Sequence, residues 1–302
     1  MATATTGRNP TVTRPATGVN GHAPRRPLAY DELIDALMRE EGNRFTLRGD
    51  VRHKSLSPIE VTFHDPAMFF GRCLADQLNG DGIKTLVQSV RLANLDEDLS
   101  KGRVVAVITT PIAEVIKRCN SDSENLYAES LIKRIGHAVA KEPGSWTNGA
   151  AVLRMLLSEK VGAGAAAATI ISDGSGMSRE NAVSPATLTR WLAIIAKDTS
   201  IAEPFHESMA TVGTGTLRRR FQGAKLKNTL AAKSGFINGV RTLSGYVTNT
   251  ETGRQVAFSV MVNDIRGDHA HTSALELHEE VVQLADRWLT QRIAADRPKV
   301  GG

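Results

Sequence analysis

Two cysteines in 302 residues leave no basis for covalent bracing. Cys73 and Cys119 stand far apart and no Cys-x-x-Cys spacing occurs, which excludes a disulfide scaffold. No run of 18 or more apolar residues appears, so no segment reads as a membrane-spanning helix. Residues 1–29 contain no apolar stretch of the kind a secretory signal needs. No internal repeat is visible. What remains is an ordinary globular composition, 41% hydrophobic and 23% charged, which excludes a chain disordered throughout. At about 100–200 residues per domain, the length suits one large or two modest domains.

Acidic residues are missing from two windows, and this explains the basic net charge of +5. Residues 1–29 carry four arginines and no acid; residues 208–250 carry seven basic residues and no acid. Those windows together carry +11, which leaves −6 for the rest. A diffuse cationic coat for nucleic acid is therefore not the reading. Arg218-Arg219-Arg220 also lacks the interleaved aromatics that stack on bases.

Residues 1–29 are rich in Thr, Pro, Gly and Asn and read as a flexible leader. A short helix is expected over Tyr30–Glu41, and Ile59 to Phe63 alternates as a strand. Asp65-Pro66 has the form of an N-cap and first helical residue, opening a helix that ends near Gly80. Cys73 beside Phe69 and Leu74 is expected in the core, and Cys119 is expected to be structural. Val104–Thr109 reads as a short apolar strand. Further helices are expected from Pro111 to Arg118, Leu126 to Val139, after Thr147, and from Ser184-Pro185. The last third changes period. Thr229–Lys233, Leu243–Val247 and Val256–Val262 read as strands with short connections, hence an antiparallel meander. A closing amphipathic helix presents Leu277, Val281, Leu284, Ala285 and Trp288. Helices around antiparallel strands give an α+β fold rather than a doubly wound parallel sheet.

Three segments could carry chemistry. Ser123-Glu124-Asn125 precedes a helix, where Ser is also an ordinary N-cap. Asp173-Gly174-Ser175-Gly176-Met177-Ser178-Arg179 is a tight loop, and a plain strand-to-helix turn is the simpler reading of Ser175. Lys233-Ser234-Gly235 closes a strand. His269-Ala-His271 has no evident third ligand, so it reads as a polar loop and neither a metal nor a cofactor is expected.

Taken in order, these segments resemble the second and third signatures of penicillin-recognising serine enzymes. Residues from about Pro111 to Asn263 resemble the C-terminal half of the D-alanyl-D-alanine carboxypeptidase/endopeptidase family of low-molecular-mass penicillin-binding proteins. Ser123 to Glu129 resembles its Ser-Asp-Asn-Leu-x-Ala-Glu stretch, with Glu124 in place of Asp. Asp173 to Arg179 resembles Asp-Gly-Ser-Gly-Leu-Ser-Arg, with Met177 in place of Leu. Gly215-Thr216-Leu217 and Ala232-Lys233-Ser234-Gly235, with Ser234 in place of Thr, follow in family order.

The resemblance implies a penicillin-binding protein/serine β-lactamase-like fold with its N-terminal part missing. It divides the chain into a leader (1–29), a remnant of the family's insert (30–110), the C-terminal part of the catalytic domain (111–292) and a tail (293–302). It implies a serine-type peptidase acting on peptidoglycan peptides that end in D-Ala-D-Ala, with β-lactams as inhibitors of the intact enzyme and a cell-envelope or periplasmic location. Ser123, Asn125 and Lys233 are then the expected catalytic residues. Ser234, Gly235, Phe236, Ser175 and Met177 are expected to bind substrate.

Elementary chemistry suits these assignments. A strand edge pairs with an extended peptide. Lys233 and Ser234 offer charge and a hydroxyl to a terminal carboxylate, Gly235 permits close approach, and the Phe236 N–H can serve an oxyanion. The family's nucleophile motif, Ser-x-x-Lys, is the missing part. Its single match is Ser130-Leu131-Ile132-Lys133, which lies after Asn125 in the wrong order and is expected to be coincidental. The chain is therefore expected to be an N-terminally shortened relative of unknown nucleophile; the alternative is an inactive protein that retains a peptide groove.

Overall fold

The computed structural model describes residues 64–85, 90–94, 96–98, 100 and 102–296. The leader, the helix expected at Tyr30–Glu41, the strand expected at Ile59–Phe63 and the chain beyond residue 296 lie outside the described residues. The chain divides into two units, Met1–Val105 and Ala106–Gly302.

In the first unit the described helix is α1, Pro66–Gly80. Its start follows the sequence: the Asp65 carboxylate accepts from Met68 N at 3.2 Å, and Pro66 fills the position where no N–H is needed. The expectation for Cys73 fails. Cys73 is exposed, as are its neighbours Phe69 and Leu74, and the residue that α1 buries is Ala75.

The Val104–Thr109 segment is likewise not a strand. Val104, Val105, Val107 and Ile108 are all strongly exposed, and among the described residues no neighbouring strand supplies the ladder a strand requires.

The second unit builds a helical part first: α2 (Ile112–Asn120), α3 (Asn125–Ala140), α4 (Trp146–Lys160), α5 (Ala163–Ala167), α6 (Pro185–Ile195) and α7 (Ala202–Glu207). Local chemistry sets the starts of two of these. Ser145 and Asn148 form a reciprocal capping box at α4, and Ser184 Oγ accepts from Thr187 N at 3.0 Å at α6.

Among the described residues four antiparallel strands follow in spatial order: β1 (Ala210–Thr211), β2 (Thr229–Ile237), β3 (Val240–Thr248) and β4 (Gln255–Val262). The register sets Lys233 opposite Ser244 and Phe236 opposite Arg241. β1 pairs with Ala231 and Ala232 alone, so from Lys233 onward one edge of β2 has no strand beside it among the described residues.

The sheet is sandwiched between helices, as the α+β reading expects. Leu230, Ala232, Leu243, Val247 and Phe258 pack on Val282 and Leu289 of α8 (Asp268–Ala295). Ala231 and Tyr246 face the other way, onto Leu192 of α6. The buried Tyr246 hydroxyl donates to the Leu192 carbonyl at 2.7 Å. Each such large side chain contributes roughly 1.5–3 kcal/mol of burial.

α8 is turned one position from the expected face. It buries Ala274, His278, Val282, Asp286 and Leu289, while Leu277, Leu284 and Trp288 are exposed. The cause is polar. The Asp286 carboxylate accepts from Lys227 N, Asn228 N and Asn228 Nδ2, at 2.8–3.1 Å by its Oδ1, and this fixes the helix's rotation against the entry to β2. His269 and His271 lie in the first turn of α8 rather than in a loop.

Candidate active site

The turn between α2 and α3 is held from three sides. Glu124 N donates to the Arg118 carbonyl, and Arg118 pairs with Asp122 and Glu124. Thr216 N donates to the Ser121 carbonyl at 3.0 Å, which places the Gly215–Leu217 turn behind the site. Asn120 Nδ2 donates to Ser208 Oγ at 2.7 Å. Within this turn Ser123 adopts φ 62, a left-handed conformation that costs a non-glycine residue on the order of 1 kcal/mol. Ser123 is thus not the N-cap of α3. That position is Glu124, and Asn125 is the first helical residue, with an exposed side chain.

The held turn delivers Ser123 to β2. Lys233 Nζ donates to Ser123 Oγ at 2.7 Å and to the Ser234 carbonyl at 2.6 Å. Two side chains 110 positions apart therefore meet directly. Burial pushes the Lys233 pKa down to about 8. The neighbouring Cys119, buried on α2, has its thiol pKa raised by burial while the charge of Lys233 pulls the other way. An ammonium kept close to neutrality beside a serine hydroxyl can pass a proton or hold an anion.

Gly235 follows on the same strand, and a Cβ there would sit 2.3 Å from Thr242 Oγ1. The absent side chain therefore serves the packing of β2 on β3, besides any approach of a ligand. Phe236 is exposed at the strand's end.

The glycine loop is the third component. Asp173 closes it on itself, accepting from Gly176 N at 2.8 Å, Ser178 N at 2.6 Å and Asn181 Nδ2 at 2.7 Å. Glu129 on α3 then binds the loop from outside, accepting from Gly174 N at 3.1 Å, Ser175 N at 3.0 Å and Trp146 Nε1 at 2.6 Å. Burial works to raise the Glu129 pKa, but the hydrogen bonds from Ser175, Trp146 and Gly174 outweigh it and bring the value below the ordinary one. Gly174 allows this contact, since a Cβ would lie 2.4 Å from the Ala128 carbonyl. On its far side the loop reaches the sheet, where Arg179 donates to the Asn238 carbonyl at 2.9 Å.

Of the residues singled out in the sequence, Ser123, Lys233 and Ser234 make direct contact. Ser175 and Met177 belong to the loop that Glu129 and Arg179 tie to α3 and to the β2–β3 turn, with Ser175 half-buried and Met177 exposed. The structural role of Glu129 was not assigned from sequence, although its place one turn beyond Asn125 puts a carboxylate on the same helix. Ser130 and Lys133 are engaged elsewhere: Ser130 Oγ donates to the Leu126 carbonyl and Lys133 Nζ lies 4.3 Å from the Trp146 ring centre. Among the described residues no group of three His, Cys, Asp or Glu side chains could hold a metal.

Known proteins are similar to this chain over much of its length. Residues 28–287 match the sequence model of the D-Ala-D-Ala carboxypeptidase 3 (S13) family. A D-alanyl-D-alanine carboxypeptidase of Actinomadura sp. is 31% identical over 214 residues, 68% of this chain and 38% of that protein. The carboxypeptidase DacB of Haemophilus influenzae is 31% identical over 175 residues, 56% of this chain and 35% of that protein. The chain thus spans well under half the length of these curated relatives. A crystal structure of penicillin binding protein 4 from H. influenzae, complexed with a β-lactam, superposes with a TM-score of 0.48 at 28% identity, covering 57% of this chain and 41% of that one.

Proposed function

Because the chain belongs to the D-Ala-D-Ala carboxypeptidase 3 (S13) family, we propose that it carries the peptide-recognition and proton-transfer side of a serine-type D-Ala-D-Ala carboxypeptidase site. The carrying observation is the 2.7 Å hydrogen bond from Lys233 Nζ to Ser123 Oγ. It joins the two motif residues whose joint work this chemistry requires.

An acyl-D-Ala-D-Ala peptide lies along the open edge of β2 from Lys233 to Phe236, its main chain adding to the ladder. Ser234 and Lys233 face its terminal carboxylate. The Phe236 N–H faces the scissile carbonyl oxygen, where negative charge develops. Asn125 holds the peptide's amide, and Ser123, with Lys233 behind it, hands a proton to the departing D-alanine amine. Ser175 and Met177 border the groove from the glycine loop. Residues 111–292 act as the C-terminal part of the catalytic domain and 30–110 as a remnant of the family's insert.

The attacking serine of such a site is activated by a lysine on the next helical turn. The one Ser-x-x-Lys in the sequence, Ser130 to Lys133, is occupied by other contacts. This favours a second reading for the chain as it stands: a protein that binds D-Ala-D-Ala peptides and β-lactams without becoming acylated. The setting is the cell envelope, where such peptides occur; among the described residues no helix is long and apolar enough to cross a membrane. Incubation with a fluorescent penicillin tests the reading. Reversible binding is expected, lost in Lys233→Ala, with no label surviving denaturation. A covalent band would overturn the non-acylating form, and no binding of either penicillin or D-Ala-D-Ala peptide would overturn the recognition site itself.

A further inference from the structure

Away from the groove, two features of the second unit stand uncovered among the described residues. The first is β4. It ends the spatial order of the sheet, so among the described residues its outer edge has no strand beside it. Soluble proteins guard such edges with charges, prolines or bulges, which deter pairing with another chain. The eight residues of Gln255–Val262 include no charge and no proline. Their register with β3 runs unbroken from Gln255 opposite Thr248 to Val262 opposite Arg241, so there is no bulge either. A regular, apolar strand thus presents a row of main-chain N–H and C=O groups.

The second feature is one flank of α8. Leu277, Leu284 and Trp288 are 42%, 57% and 54% exposed. With half-buried Val281 they recur at intervals of four, three and four residues. That is the spacing of a seam that packs on another helix.

Both features lie on the same side. Asp286, bound to Lys227 and Asn228, marks the flank of α8 turned towards the entry to β2. The four seam residues stand about 160–220° around the helix from Asp286, at 100° per residue. They therefore occupy the flank turned away from β2, towards β4 and its open edge. The levels match too. Arg254, ahead of β4, pairs with Asp296, beyond the end of α8, so the helix runs back along the strand. Ser259 lies about 17 Å from Arg254 along the strand. The same length of helix from Asp296 is about eleven residues and reaches Ala285, within one turn of the middle of the seam. Val282 accordingly shares a core cluster with Phe258 and Val260, which flank Ser259.

An open edge and an apolar flank at one level are complementary to a second edge and flank. A two-fold axis normal to the sheet near Ser259 supplies both from one partner. β4 then continues antiparallel into the β4 of a second copy, and the two α8 helices lie antiparallel across the axis. Leu277 packs on the second copy's Trp288, and Val281 on its Leu284. Charge fits the same arrangement: on the solvent side of the seam, exposed Glu280 meets the second copy's exposed Arg287, twice by symmetry.

We infer that the outer edge of β4 and the Leu277–Trp288 flank of α8 together form an interface with a second copy of this chain. The inference does not rest on the peptide-site reading. Sedimentation velocity of the full chain from about 1 to about 100 μM tests it. Wild type should run as a dimer and nothing larger, because a two-fold contact closes on itself. Leu284→Glu puts a charge into the seam and should weaken dimerisation about a hundredfold. Leu284 is exposed in the single chain, so the fold should be kept, which circular dichroism checks. Glu280→Arg and Arg287→Glu should each weaken the dimer about tenfold, and the double variant should restore it. Amide exchange in β4 should slow as wild-type concentration rises. A wild type that stays monomeric would overturn the inference, and protected β4 amides in that monomer would assign the edge to a segment of the same chain. Growth beyond the dimer, a dimer indifferent to Leu284→Glu, a double variant no tighter than the singles, or β4 exchange that ignores concentration would overturn it as well.

Discussion

Replacing Lys233 by methionine should stabilise the fold near neutrality and cease to do so in alkali. Burial holds the Lys233 pKa at about 8, against 10.5 for an ordinary lysine. Between those values the unfolded chain binds more protons than the folded one, so this residue's contribution to stability rises with pH across that window. Below it, keeping the ammonium in the fold costs about 3 kcal/mol, from the separation of the two pKa values. Methionine removes that cost but also forfeits the hydrogen bonds to Ser123 Oγ and the Ser234 carbonyl, together about 1–2 kcal/mol. The variant should therefore be more stable than wild type by about 1–2 kcal/mol near pH 7 and less stable by a similar amount above about pH 10. Urea unfolding of both proteins at a series of pH values, followed by circular dichroism, reads the difference and cancels the titration of every other group. A difference that stays flat from about pH 7 to about pH 10 would refute a depressed Lys233. Affinity for an anionic peptide should move with the opposite sign, falling as pH rises through about 8.

Two further outcomes follow from the hydrogen bonds around the site. Glu129→Ala removes the acceptor for Gly174 N and Ser175 N, so amide exchange at those two positions should quicken by about tenfold while the sheet's amides keep their protection; unchanged exchange would show that Asp173 alone holds the loop. Asp286→Ala strands the Lys227 and Asn228 donors at the entry to β2 and should cost about 3 kcal/mol, lowering the calorimetric Tm by about 10 °C; a drop under about 3 °C would contradict the anchoring role.

Features written in neighbouring residues were legible in the sequence. The Asp65 and Ser184 caps and the β2–β3–β4 meander depend on residues a few positions apart, and they form as read. Features decided by distant partners were not. α8 carries apolar residues around more than half its circumference, so its pattern does not choose a face; the choice falls to buried Asp286 and its bonds to Lys227 and Asn228. The Val104–Thr109 pattern suits a strand, but a strand needs a neighbour that composition cannot supply. At the site, motif order brought out Ser123 and Lys233, which the structure joins. Glu129 closes the Ser123–Glu129 stretch in the sequence, but its clamping of backbone N–H groups some 45 positions away is decided by distant partners and has no local signature.

The contact between Ser123 and Lys233 also has a kinetic meaning. The β3–β4 pairing joins residues such as Ser244 and Ser259, 15 positions apart, whereas the Lys233–Ser123 bond closes a loop of 110. By loop-closure entropy the longer closure costs about 2 kcal/mol more. In contact-order terms the meander is local and quick to form, and the Lys233–Ser123 contact waits until the helical layer has docked on it. The Ser123–Lys233 contact therefore depends on docking of the helical layer, whereas the pairing of β3 with β4 depends on the meander alone.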